Sequence, residues 1–410
     1  MKKYYLYLEP FTFIFLQKEE ILIFNSISNK GQVFKNEGIL GYLLTELNDF
    51  KNMYCLEVKN ESLIDKGVQD FIKFLKKTFS GDLIVNTTKK PIIFPPKAKI
   101  QFDINNLQNS TFRNISEEIY KLLTEVSIYL GGPNPSTKFS NLEIIKQFDY
   151  PIISNGKYVK SKNLQNMLNS LKFASIQNLN LIGGNIFTYP DLSPLINMIS
   201  LIPGKKILFS IYLDVPLNLD IYNFLKNPQF ELKILIEFPI DTNAFVRTLN
   251  VLLKSNISYE ILFVITSIEE LNMAEEIILK YNLNKTNFKS LYTGKNLDFF
   301  KKNIYLNKED IMSLPMSKKD IFINQNLNVF YFGKIKIFFD GKIYSSFSSN
   351  SSGDIKSSLN QILIDEMSNS RPWLKVRNTE PCNQCIYQWL CPPPNPYEEA
   401  IGKPNLCSVK

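Results

Sequence analysis

LKILIEF (232–238), TNAFVRTLNVLLKSN (242–256), EILFVIT (260–266) and IEELNMAEEIILKYN (268–282) follow one another with only short gaps between them. The first and third are almost unbroken apolar runs, the pattern of parallel strands covered on both faces. The second and fourth repeat apolar residues at helical spacing, so each offers one face to a sheet. Outward from this stretch, the same alternation predicts strands at VSIYL (126–130), LNLIG (179–183), KILFSIYL (206–213) and NFKSLY (287–292). Six βα units suit an open partial barrel over residues 124–320 better than a closed eight-unit barrel or a dinucleotide fold. Chemistry in such barrels gathers at the C-terminal ends of the strands, which points to the loops after Leu130 and Gly183.

Residues 1–90 read as a separate small α/β domain. YYLYLEPFTFIFL (4–16) and EILIFNSISNKGQVF (20–34) are β-rich, with a hairpin turn expected at Asn29-Lys30-Gly31. MYCLEV (53–58) is a short strand carrying Cys55, which has no basic neighbour and reads as a buried small hydrophobe. Helical patterns cover 37–49 and 65–78, and strands followed by helices in so short a span suggest a winged-helix-like module. Residues 91–123 comprise the proline-rich PIIFPPK and a helix built on Ile115, Ile119, Leu122 and Leu123. Beyond 320, NVFYFGKIKIFFDGKIYSSF (328–347) signals a hairpin turning at Asp340-Gly341, and LNQILIDEM (359–367) a helix.

Four of the five cysteines, Cys382, Cys385, Cys391 and Cys407, crowd the last part of 321–410. The spacing C-x2-C-x5-C-x15-C can close four thiolates around one centre, either zinc or a 4Fe-4S cluster, and spacing alone does not separate the two. Two disulfides are the alternative, weakened because Glu9 and Pro10 interrupt the apolar run after Lys2-Lys3 and no small-residue cleavage site follows, so export is not expected. A reducing cytoplasm is the expected compartment. Trp373, Tyr387, Trp389 and Tyr397 are expected to pack around the centre.

The 410 residues contain no histidine, which removes Ser-His-Asp and Cys-His catalysis and imidazole ligation together. Strand-end Asp214 and Glu237 are the carboxylates placed for proton transfer. The net charge of +8 is thinly spread, with no basic block interleaved with aromatics, so nucleic-acid binding is not expected. No apolar stretch reaches the length of a membrane span.

The opening KKYYLYLEPFTFIF, the segment LIGGNIFTYPDL (181–192) and the tail W-x3-R-x3-P-C-x2-C-x5-C-P-P-P resemble radical SAM proteins with a C-terminal SPASM domain. Those proteins mature ribosomally made peptides, and the nearest resemblance is to the pseudo-radical-SAM group of Bacteroidales-type clusters. The resemblance implies a leader-peptide-recognition domain at 1–90, a degenerate radical SAM barrel and a SPASM-like cysteine module. It also implies departures. The loop GGPNPSTKFSNLEII after Leu130 lacks the C-x3-C-x2-C that anchors the catalytic cluster, and Gly183-Gly184-Asn185 stands where the family has Gly-Gly-Glu-Pro. An amide cannot give an ammonium the charge of a carboxylate, so S-adenosylmethionine binding is not expected. No catalytic residue is assigned. The expected role is a non-catalytic partner that holds a precursor peptide beside a radical SAM enzyme. The alternatives are a maturase acting through its C-terminal centre or beside an ATP-grasp ligase, and a zinc-stabilised binding protein. Leader binding would proceed by strand addition to an edge in 20–34 or 53–58.

Overall fold

The computed structural model describes residues 3–85, 89–97, 115–133, 142–151, 154, 157–367 and 371–409. Most of the expected linker and most of the loop after Leu130 lie outside them.

The chain opens with β1 (Lys3–Leu8) and β2 (Thr12–Leu16), which the sequence pattern joins into one run. A turn at Glu9–Phe11, closed by Thr12 N donating to Glu9 O at 3.0 Å, sends them into different sheets. β3 (Glu20–Asn25) lies between β2 and β4 (Lys30–Lys35) in one antiparallel sheet. β5 (Cys55–Lys59) and β6 (Gly81–Val85) flank β1 in the other. Helices Gly38–Asn48 and Lys66–Thr78 bury Leu40, Leu44, Phe71 and Leu75 against Leu6, Leu8, Ile21 and Ile23 of the two sheets. Asp65 caps the second helix by accepting from Val68 N at 3.0 Å. This unit therefore has a second sheet beyond the strand-then-helix module read from sequence. It also corrects the choice of edges: β3 is central, so only the β4 half of 20–34 has an unpaired side. Cys55 is fully buried on β5, as read.

All six barrel strands form: β7 (Glu125–Gly131), β8 (Asn178–Gly183), β9 (Lys205–Ile211), β10 (Phe230–Ile236), β11 (Tyr259–Ile265) and β12 (Thr286–Ser290). They pair in parallel and in sequence order, giving a mixed α/β molecule with a large parallel sheet. Helices Thr242–Ser255 and Ile268–Tyr281 connect the last three strands. Asp241 and Ser267 cap their N-termini, while Asn256 and Asn282 end them at φ +52° and +48°. One 380 Å³ cavity is lined by residues of all six strands, so the sheet curls round it rather than lying open. Gln147 ties the two ends of the array by exchanging two 2.9 Å hydrogen bonds with the backbone of Tyr292.

β13 (Lys334–Ile337) and β14 (Lys342–Tyr344) form the expected hairpin, with Gly341 at φ +87° in the turn. β13 also pairs in parallel with β7, and β15 (Gly353–Asp354) follows β14, so one sheet of nine strands results. A further core joins Phe13, Phe15, Leu22 and Phe24 of the N-terminal sheet to Ile311, Ile321, Ile386 and Leu390. That packing seats the first sheet on the cysteine-bearing tail. Among the described residues, no helix is long and apolar enough to cross a membrane.

Candidate metal centre

The four clustered cysteines line one cavity of about 640 Å³. Cys382 and Cys385 bracket the short turn Cys382–Gln384, and Cys391 closes the next turn through its N–H to Tyr387 O at 3.1 Å. Cys407 returns by a longer route. After Pro392–Pro394 the chain forms helix Pro396–Ile401, turns at Gly402 (φ +73°), and clamps on Leu306. Leu306 N donates to Leu406 O at 3.0 Å, and Ser408 N to Leu306 O at 2.9 Å. The β2–β3 turn supplies another wall, where Gln17 Nε2 donates to Asn383 O at 3.1 Å.

Arg377, the arginine of the W-x3-R-x3-P-C run, lines the same cavity, and spacing did not single it out. Its buried guanidinium donates to Glu398 Oε1 at 2.6 Å and Oε2 at 3.3 Å, to Pro404 O at 3.3 Å, and to the Pro392 carbonyl. It also points at Cys382 Sγ from 3.6 Å. One cation thus holds together the three stretches that carry the thiols. Asn405 Nδ2 donates to Cys407 Sγ at 3.2 Å.

Burial pushes the Cys391 thiol up to about 12, and raises Cys382 and Cys385, with Arg377 pulling each the other way. A coordinating thiol is deprotonated by the metal it binds, so loading the centre would release protons. Among the described residues, no group of three or more Cys, Asp or Glu is drawn tightly enough to hold a single ion. The four thiols surround a space rather than a point. Of the aromatics expected around them, Tyr387 lines the cavity, while Trp389 packs on the same apolar cluster as Cys385 and Cys391 but does not line the cavity. Nor does Trp373. It is fully buried in the main core, with its ring on Phe332 and its indole N–H donating to Lys334 O at 3.0 Å. Tyr397 stacks edge-on to Phe300 and donates to Ser290 O at 2.7 Å, at the end of β12.

The mouth of the curled sheet is built differently. Gly184 N donates to Gly131 O at 3.0 Å, and a Cβ on Gly184 would stand 2.2 Å from Pro133 O. Gly184 therefore serves the close approach of the β7 and β8 loops. Asn185 spends its side chain locally: Oδ1 accepts from Phe187 N at 3.0 Å and Nδ2 reaches Asp214 O at 3.4 Å. Ser154 Oγ accepts from Gly132 N at 2.6 Å and Val159 N donates to Leu130 O at 3.0 Å, so Ser154 and Val159 are bonded to the end of β7. Asp214 follows β9 in a short turn, and buried Glu237 lies just past β10.

No protein-family model and no curated protein matches this chain. Among solved structures it is similar to Streptococcus suis SuiB bound to S-adenosylmethionine, with 11% identity, 98% of each chain covered and a TM-score of 0.48. For SuiB bound to precursor peptide SuiA the identity is again 11% over 98% of each chain, with a TM-score of 0.49. Native anSMEcpe with bound AdoMet and Kp18Cys peptide is 14% identical over 65% of this chain and 88% of that one, at a TM-score of 0.42.

Proposed function

We propose that this chain is a peptide-maturation partner with a radical-SAM-type barrel that no longer carries the radical reaction, and a SPASM-like tail that holds one metal centre. The observation that carries the reading is the distribution of thiols. Four line one cavity in the tail, while the fifth is buried on β5, away from the barrel mouth. Cys382, Cys385, Cys391 and Cys407 would hold the centre, and a 4Fe-4S cluster suits their spread around a large cavity better than a single zinc, whose four sulfurs must all sit about 2.3 Å from one point. When bound, such a cluster supplies electron-transfer chemistry and structural cross-linking. Arg377 would tie the loops together, and Tyr387 and Ile386 line the cavity beside the thiols.

Residues 1–90 would grip the peptide by strand addition, and β4 is the favoured edge. Asn36 N donates to Glu19 O, so with Ile21 opposite Phe34 and Leu22 opposite Val33 the N–H groups of Phe34 and Gln32 face β3 while those of Val33 and Lys35 face outward.

The test is anaerobic purification followed by metal and sulfide analysis, then incubation with S-adenosylmethionine and dithionite. Iron with sulfide and no 5′-deoxyadenosine or methionine agrees with the proposal. Release of either product overturns the inert-barrel assignment, and zinc without sulfide overturns the cluster.

A further inference from the structure

The 380 Å³ cavity inside the curled sheet is separate from the thiol cavity and carries an imbalance of charge. Five lysines line it: Lys146, which has an interaction of its own, and Lys233, Lys289, Lys334 and Lys336 from β10, β12 and β13. Three of the four strand lysines have carboxylate partners. Lys233 pairs with Glu260 at 2.9 Å, Lys334 with Glu125 at 3.5 Å, and Lys336 with Asp149 at 3.0 Å. Lys289 has none among the described residues. Its ammonium lies 6.0 Å from the centre of the Phe148 ring, at the outer limit of a cation–π contact. Burial and the other three strand lysines disfavour its charge, and Asp149 compensates only in part. A half-buried ammonium left this way among like charges needs an anion.

On the same cavity wall Asn180 Nδ2 reaches Glu125, Ser127 and Asp149 within 3.0–3.2 Å. Those two carboxylates are already the partners of Lys334 and Lys336, so Lys289 is the cation of this group left without an anion among the described residues. Phe209 and Phe288 form apolar walls, and the volume suits a small organic group.

The geometry points to a binding site for a carboxylate with a short apolar body, held by Lys289 inside the curled sheet. The carboxylate comes either from a free organic acid or from an acidic side chain of a bound peptide. The inference stands apart from the maturation reading, because it rests on the barrel interior and not on the thiols or the β4 edge.

Calorimetric titration of the intact protein with glutarate, with acetyl-Gly-Glu-Gly-amide and with acetyl-Gly-Gln-Gly-amide tests it. Binding of glutarate or the Glu peptide, weakened about tenfold or more in Lys289→Met and by added salt, is expected. The surface variant Lys254→Met should bind like the parent. Glutarate binding alone assigns the free acid, and Glu-peptide binding assigns the side chain. No binding of either carboxylate, equal binding of the Gln peptide, or affinity unchanged in Lys289→Met overturns the site. If Lys289→Met does not fold, the parent's salt dependence decides, and salt-independent binding overturns it.

Discussion

Asp149 shows how one residue inside the sheet answers to its surroundings. Burial opposes its ionisation, yet Lys336 at 3.0 Å and hydrogen bonds from Ser127 and Tyr129 outweigh it and hold the carboxyl down at about 2. A depressed folded-state pKa stabilises the fold above the unfolded value of about 3.9, and that share is lost as pH falls towards 2. Asp149→Asn strands Lys336, so a loss of about 3 kcal/mol is expected near neutrality. The gap between parent and variant should shrink below about pH 4, as followed by urea unfolding across pH. A second expectation at this scale concerns sulfur: Cys391→Ser should reduce bound metal to background while Cys55→Ser leaves it intact, measured by elemental analysis. The two residues share a thiol but not a setting, since Cys55 is enclosed by the N-terminal core and Cys391 faces the cavity of the other three.

At the scale of the element, the β4 edge and the glycine turn make opposite predictions. Lys35→Pro deletes an outward N–H without touching the β3 ladder, so stability should hardly change while capture of peptides selected from a display library against the parent falls about tenfold. An unchanged affinity would move the docking strand elsewhere, with β5 the remaining candidate. Gly184→Ala instead meets the Pro133 carbonyl at 2.2 Å, backbone that cannot yield cheaply. A loss of about 1–3 kcal/mol is expected in thermal unfolding, with the thiol centre unaffected. Helices and strands were the most legible level of this molecule. Continuous apolar runs flanked by amphipathic stretches admit few alternatives, and each of the six parallel strands lies within two residues of its expected limits. β6 was missed because GDLIV is short and follows a helix, and a single run at 4–16 concealed a corner at Glu9–Phe11.

For the whole molecule, the tail is a hub. The thiol cavity is walled by the β2–β3 turn, by Leu306 and Ile311, and by the tail itself, regions far apart in sequence. Stripping the metal with a chelator under reducing conditions should therefore raise hydrogen exchange together at 17–20, 306–311 and 382–391, while β8–β11 keep their protection. Exchange confined to the tail would mean that the centre orders the tail alone.

Periodicity and residue chemistry determined the α/β alternation, the exclusion of imidazole chemistry and the candidate thiolate ligands, because these follow from local spacing and from which side chains exist. The meeting of Cys407 with the other three, the role of Arg377, the parallel pairing of β13 with β7 and the lone Lys289 were decided only by the tertiary structure. Each depends on contacts between segments tens to hundreds of residues apart, whose energies come from burial and charge compensation that no local pattern records.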